Sequence, residues 1–202
     1  MDSAGRFTFR LLTRRDFPLL SRWLAAPHVR PWWREDPDPA AVARRYGPAV
    51  DGQDPTECHL VALDGRPFGF AQRYRLGDHP AWQRALEVTG APTDGCGMDY
   101  LIGPAQCIGQ GLGPALIAAF VHDTWVRYPE APAVVVDVAV DNRRSWRSLE
   151  KAGFDRIWSG RLESDDPSDD GGQHVYVRHR PADHVINGSA LLTPSEPKPR
   201  RR

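Results

Sequence analysis

Net charge, paired cysteines and long apolar runs are all missing from this 202-residue sequence. Lys plus Arg and Asp plus Glu both total 26, so the formal charge of +0 provides no field for capturing nucleic acid. Its three cysteines, Cys58, Cys96 and Cys107, are an odd number with no CxxC spacing. They suggest neither a disulfide framework nor a zinc site, and they read as reduced, buried small residues. No metal is expected. No run of about 18 apolar residues is present and no basic-then-apolar start, so neither a membrane span nor an export signal is expected. The expected compartment is the cytosol.

What is present begins with a glycine loop, Cys107-Ile108-Gly109-Gln110-Gly111-Leu112-Gly113, followed by the helix-forming run Pro114 to Val121. Glycine lets backbone amides turn toward a bound group. The helix behind it adds unpaired amides and the positive end of its dipole, so the loop reads as an anion seat for phosphate or pyrophosphate. The spacing is that of neither a dinucleotide fingerprint nor a P-loop ending in Gly-Lys-Ser/Thr. A strand over Gly97 to Gly103 leads into the loop.

Elsewhere, Phe7 to Leu12 alternates as a strand, Thr13 and Asp16 approximate a capping box, and a helix runs to about Ala26, where Pro27 stops it. His28-Val29-Arg30-Pro31-Trp32-Trp33 reads as a loop. Adjacent side chains of an extended segment point opposite ways, so at least one tryptophan should face a cleft or solvent. A short helix is expected from Pro39 to Tyr46, then a hairpin of His59–Leu63 and Pro67–Tyr74 joined by Asp64-Gly65. Gly77 to Asp94 lacks periodicity and reads as loop with at most one helical turn. After the glycine-loop helix, which should end near Tyr128, Ala133 to Val140 is the most β-prone run. One carboxylate, Asp137, interrupts it, and a carboxylate among valines points to function. Asn142 or Asp141 caps a helix through Lys151-Ala152, with Gly153 at its end. A final hairpin, Phe154–Leu162 and His174–Arg178, encloses an acidic turn from Glu163 to Gly172 that contains Glu163, Asp165, Asp166, Asp169 and Asp170. From Pro181 onward the composition suggests a disordered, Pro-rich basic tail, leaving 1–180 as the domain and 181–202 as the tail.

The glycine loop, the strand with Asp137, the cap at Asp141-Asn142 and the segment Glu150-Lys151-Ala152-Gly153-Phe154 together resemble the GNAT acyltransferase superfamily. That resemblance implies an α/β (α+β) fold with a central mixed, mostly antiparallel sheet, splayed at the acetyl-CoA site and flanked by helices. Within the superfamily, residues 7 to 180 resemble the aminoglycoside 6'-N-acetyltransferases. The residues that carry this are Trp23-Leu24, His28-Val29, Trp32-Trp33, Gly69-Phe70-Ala71-Gln72 with Tyr74, and Gly97-Met98-Asp99, beside the motifs already named.

The resemblance implies acetyl-CoA as co-substrate, held by amides of Leu101 and Ile102 at the pantetheine and by Ile108, Gly109, Gln110, Gly111, Leu112 and Gly113 at the pyrophosphate, with Asn142 nearby. Family members carry Gln or Arg where this chain has Ile108, so backbone amides should make that contact. Asp99 is the expected base for the acceptor amine. Asp99, Asp137 and Asp170 would meet the ammonium groups of a polycationic acceptor, and Trp32, Trp33, Gln72 and Tyr74 would wall its site. Many relatives place a tyrosine at the position of Leu149 to protonate the departing thiolate; here either the thiolate leaves without a dedicated acid or Tyr176 or a water substitutes. A siderophore-biosynthesis N-acyltransferase acting on a lysine or hydroxylysine derivative is the rival, but such enzymes tend to carry histidine at the position of Asp99. A protein Nα-acetyltransferase and a non-catalytic CoA-sensing domain are further alternatives. The expected partners are a small polycationic amine and no nucleic acid or membrane, in a monomer or homodimer.

Overall fold

A computed structural model of the chain describes residues 6–163 and 171–182, which build one seven-stranded sheet. Its strands are β1 (Phe7–Leu11), β2 (Glu57–Leu63), β3 (Arg66–Arg75), β4 (Cys96–Ile102), β5 (Ala133–Ala139), β6 (Asp155–Gly160) and β7 (Gln173–His179). They lie in the order β1-β2-β3-β4-β5-β7-β6. Every neighbouring pair is antiparallel except β4 and β5. The helices are α1 (Phe17–Leu24), α2 (Arg30–Trp33), α3 (Pro39–Val50), α4 (Pro80–Glu87), α5 (Leu112–Arg127) and α6 (Arg143–Lys151).

Strand alternation sorts the residues onto two faces. Met98, Val134, Val136 and Tyr176 pack against Leu116 and Phe120 of α5 and Leu149 of α6. The opposite face is covered by the other four helices. There Leu60, Phe70 and Leu101 meet Phe17, Leu20 and Val42, while Val135, Val175 and Val177 meet Leu76 and Leu86. Asp99 and Asp137 share the alternation of Leu101 and Val135, which places them on this second face. The parallel pairing of β4 with β5 covers only Cys96↔Val134 and Gly97↔Val135. Beyond those two pairs the strands part, and the sheet splays just where Asp99 and Asp137 follow.

Several local expectations match the backbone. Asp64 and Gly65 both have positive φ (50° and 75°), as a type I′ hairpin turn requires. Asn142 accepts the Ser145 amide at 3.3 Å and caps α6, and Gly153 follows that helix at φ 82°. At the first helix, Asp16 accepts both the Thr13 amide (2.9 Å) and the Thr13 hydroxyl (2.8 Å). Arg10 adds two further hydrogen bonds to the same carboxylate. Its pKa falls from 3.8 to about 2, chiefly through the Arg10 hydrogen bonds and against the opposing effect of burial. Because the folded pKa is depressed, this stabilisation is full above the unfolded value and is lost as pH falls toward the folded one. Asp16→Asn should therefore cost roughly 1–2 kcal/mol at pH 7, discounted for the exposed Arg10. Urea denaturation of both proteins at pH 7, 5 and 3 should show the gap narrowing only in the last step.

Other expectations are corrected. The expected loop at Pro31 to Trp33 is the short helix α2, so the two tryptophans diverge by a helical step rather than by a strand's half-turn. Helix α3 continues past Tyr46 to Val50 with Pro48 inside it. A proline this near a helix end removes a single backbone hydrogen bond, and the carbonyl of Pro48 instead accepts the amide of Gln53. The stretch assigned to loop contains the two-turn helix α4, whose burial falls mainly on Leu86 and leaves little periodicity to read. Residues 164–170 and 183–202, including Asp165, Asp166, Asp169, Asp170 and the expected tail, lie outside the described residues.

Candidate functional site

At the splay, a cleft of about 770 Å³ opens on the α1–α4 face. Asp99, Asp137, Gln72, Tyr74, Trp32, Trp33 and Asn142 all line it, so seven sequence-expected site residues meet in one place. They come from α2, β3, β4, β5 and the cap of α6. Trp33 is wedged edge-on against Phe70 with 5.5 Å between ring centres, which fixes α2 over β3. Tyr74 lies against Gly97, its partner on β4, where any Cβ would come within 2.4 Å of the phenol ring. Glycine at 97 thus lets the aromatic wall lie flat on the strand that carries Asp99.

Asp99 is oriented by its neighbour on β3. The Gln72 Nε2 donates to Asp99 Oδ2 at 2.8 Å. The Cys58 thiol donates in turn to Gln72 Oε1 at 3.9 Å, which holds the carboxamide with its nitrogen toward Asp99. Burial, reinforced by Asp54, pushes the Cys58 thiol up to about 12, so it remains a protonated donor at neutral pH. The sequence identified Cys58 only as a buried small residue; this role depends on pairing across β2 and β3.

The opposite side of the splay holds the anion seat. Gly109 and Gly111 have φ of 79° and 72°, and no atom lies within 4 Å of where either Cβ would stand. Backbone conformation, rather than crowding, is what requires glycine at both positions. Gly111 caps α5, so the amides of Leu112 and Gly113 are among those with no partner inside the helix. This cradle suits a pyrophosphate. Gln110 folds back, its Nε2 donating to the Gln106 carbonyl at 2.6 Å, which leaves its backbone amide as its contribution. Ile108 is extended just before the glycines.

The expectation for Leu101 and Ile102 narrows to Ile102. The Gly103 amide donates to the Phe68 carbonyl on β3, and the Leu101 carbonyl points toward Gly69 on the same strand. Backbone groups alternate in direction along a strand, so Leu101 faces β3, while Tyr100 and Ile102 face the open edge. His28 Nε2 donates to the Ile102 carbonyl at 2.9 Å and ties the α1–α2 connection to this edge.

Tyr176, the side chain considered for protonating a departing thiolate, is not open to the cleft, and neither is the position of the tyrosine that relatives carry, here Leu149. Leu149 is fully buried, and Tyr176 is fully buried with its hydroxyl donating to Glu150 Oε1 at 3.0 Å. Burial and that hydrogen bond push the Tyr176 phenol up to about 12. Sequence reasoning also missed two acidic groups in the cleft, Glu35 and Asp54. Glu35 Oε2 accepts the buried Tyr46 hydroxyl at 2.7 Å. Burial, then Glu35, raises the Tyr46 phenol well above its ordinary range. Burial opposes ionisation of Asp54, but hydrogen bonds from Thr56 outweigh it and its pKa is lowered. Both residues sit near prolines, outside any expected helix or strand, so no local pattern marked them. Among the described residues no cluster suited to a metal ion exists, and no helix is long and apolar enough to cross a membrane.

Comparison with known proteins bears on the same site. Residues 13–161 match the family described as acetyltransferase (GNAT) domain. Aminoglycoside N(6')-acetyltransferase type 1 of Klebsiella pneumoniae is 34% identical over 159 residues, which span 77% of this chain and 77% of that protein. The solved structure of AAC(6')-Ib with paromomycin and acetyl-CoA superposes with a TM-score of 0.74 at 30% identity, covering 91% of this chain and 99% of that one. Its complex with coenzyme A and kanamycin gives 0.73 at 31% identity, covering 86% and 95%.

Proposed function

Because the chain belongs to the GNAT acetyltransferase family, we propose that it acetylates a primary amine of an aminoglycoside, the 6'-amine, at the expense of acetyl-CoA. The observation that carries this reading is the cleft itself, in which Asp99 and Asp137 flank the splay within aromatic walls. Spaced carboxylates suit the spaced ammonium groups of an aminoglycoside. Trp32, Trp33 and Tyr74 offer ring faces to the same cations.

Acetyl-CoA supplies the acyl group as an activated thioester. The amides of Gly109 to Gly113 hold its pyrophosphate against the positive end of α5. The Ile102 amide, with Tyr100 before it on the open edge, aligns the pantetheine arm and polarises the acyl carbonyl. Asn142 holds α6 beside that arm. Asp99, fixed by Gln72, takes the proton that the acceptor ammonium must lose before its nitrogen can attack. Acetylation removes one positive charge from the drug, and antibiotic resistance is the consequence of that loss. The reading places the protein in the cytosol with its acyl donor, as a monomer or homodimer, with 1–180 as the catalytic domain.

Thiol release from acetyl-CoA with purified protein tests this directly. Kanamycin should be acetylated and its 6'-hydroxyl analogue should not. Turnover of a hydroxylated lysine alone would transfer the protein to siderophore assembly, and silence on all three would end the enzymatic reading. Asp137→Asn should raise the kanamycin KM about tenfold or more while kcat changes less, since a charge-assisted hydrogen bond is worth roughly 1.5–3 kcal/mol. Steady-state kinetics would show an unaltered KM if Asp137 had no part in holding the acceptor.

A further inference from the structure

Gln173 opens β7, which lies beside β5 in the sheet. It lines the cleft, yet it is only 1% exposed. Neither its Oε1 nor its Nε2 has a hydrogen-bond partner among the described residues. A buried carboxamide with both ends unpaired is costly, and such a group in a cleft wall points to a ligand that completes it. Packing does not account for the choice, because Val175 and Val177 continue the same face of β7 as apolar residues. Gln173 also stands beside Asp137. Asp137 pairs with Val175 and Ala139 pairs with Gln173, which makes Asp137 and Gln173 diagonal neighbours on one face.

We propose that Gln173 is a specificity-determining residue that reads a hydroxyl group of the acceptor adjoining the ammonium held by Asp137. The inference rests on the aminoglycoside reading of the same cleft and adds a second polar contact to it. The chemistry selects the group: a carboxylate accepts only, whereas a carboxamide offers both an acceptor and donors. A hydroxyl is likewise donor and acceptor, so a single hydroxyl can satisfy both ends of Gln173. An ammonium could satisfy only Oε1. Asp137 and Gln173 side by side therefore match neighbouring amino and hydroxyl groups on a cyclitol or sugar ring. A simple polyamine would leave Nε2 unpaired.

The test is kinetic and thermal, on the full chain, comparing wild type with Gln173→Leu and Gln173→Met. Each is assayed with kanamycin and with analogues lacking one ring hydroxyl at a time. Removing unpaired buried polar atoms should leave the melting temperature of the unliganded protein unchanged or higher. The kanamycin KM should rise about tenfold with kcat within twofold. The penalty should vanish for one monodeoxy analogue, on which wild type and variant become equal. Gln173→Met gives the same readout should the branched side chain disturb the strand. Unchanged KM in a folded variant, or an equal penalty on every analogue, would overturn the assignment and leave the acceptor class standing. Absence of kanamycin turnover by the wild type would remove the acceptor class and this inference with it.

Discussion

Asp99→Asn should lower kcat for kanamycin by about 10²–10⁴-fold, the range expected when a positioned general base is lost. The substitution is close to isosteric, and the Asn carbonyl oxygen can still accept the Gln72 Nε2 hydrogen bond now made at 2.8 Å. Folding should therefore be preserved, which separates this variant from a merely destabilised one. Affinity for acetyl-CoA should stay nearly constant, because the anion seat lies on the glycine loop and the head of α5 rather than at this side chain. The pH dependence provides a second readout. Acceptor amines lose their protons to solvent as pH rises, so the deficit of the variant should shrink between about pH 7 and 10. Pre-steady-state acetyl transfer across that range would decide the matter: a deficit independent of pH would give Asp99 a binding role, and full activity at pH 7 would remove it from the chemistry.

Much of this site could be read in the sequence because its parts carry local signatures. The glycines before α5 announce their backbone conformation, and positive φ at Gly109 and Gly111 is what they supply. Asp137 was conspicuous because it interrupts a valine run. Asp64-Gly65 specified its turn, and through that turn the pairing of β2 with β3 that sets Cys58 opposite Gln72. What escaped notice depends on partners distant in sequence. Cys58, Gln72 and Asp99 form a relay across three strands, and no window of sequence contains them. Glu35 and Asp54 enter the cleft from irregular connections beside prolines. Helix α4 hides because it rests on the sheet mainly through Leu86, with Trp82 partly buried beside it. The segment Gln72-Arg73-Tyr74 shows the limit clearly. Its outer residues line the cleft, while Arg73 points through the sheet toward α5 and serves stability instead.

That arginine supports the prediction with the largest effect on folding. Arg73 is 4% exposed, with Nε donating to Glu57 at 2.8 Å and Nη1 donating to Asp123 at 2.7 Å. The rings of Phe120 and Tyr128 lie 5.6 and 5.8 Å from its guanidinium. Glu57 also accepts from Arg127 at 2.8 Å and from the Tyr128 hydroxyl at 3.2 Å, so one carboxylate joins β2 to β3 and α5. Burial raises the Glu57 pKa, but Arg73 and then Arg127 more than offset it, and the net shift is downward from 4.5. Removing one partner from such a group leaves a buried cation underpaired, at a cost of about 3–5 kcal/mol. Asp123 remains in Glu57→Gln, which argues for about 3 kcal/mol and a melting temperature roughly 6–12 °C lower. Replacing both residues, Glu57→Gln with Arg73→Met, should recover part of that loss, because the stranded charge is gone. The folded pKa of Glu57 is depressed, so the wild-type advantage should hold above pH 4.5 and fade as acid protonates the carboxylate. Acetyl transfer at 25 °C should survive in the single variant, since this network faces α5 and the acceptor cleft lies on the other side of the sheet. Thermal melts of the two variants would distinguish the cases: a double variant less stable than the single one would mean that Arg73 contributes through its stem and ring contacts more than through its charge.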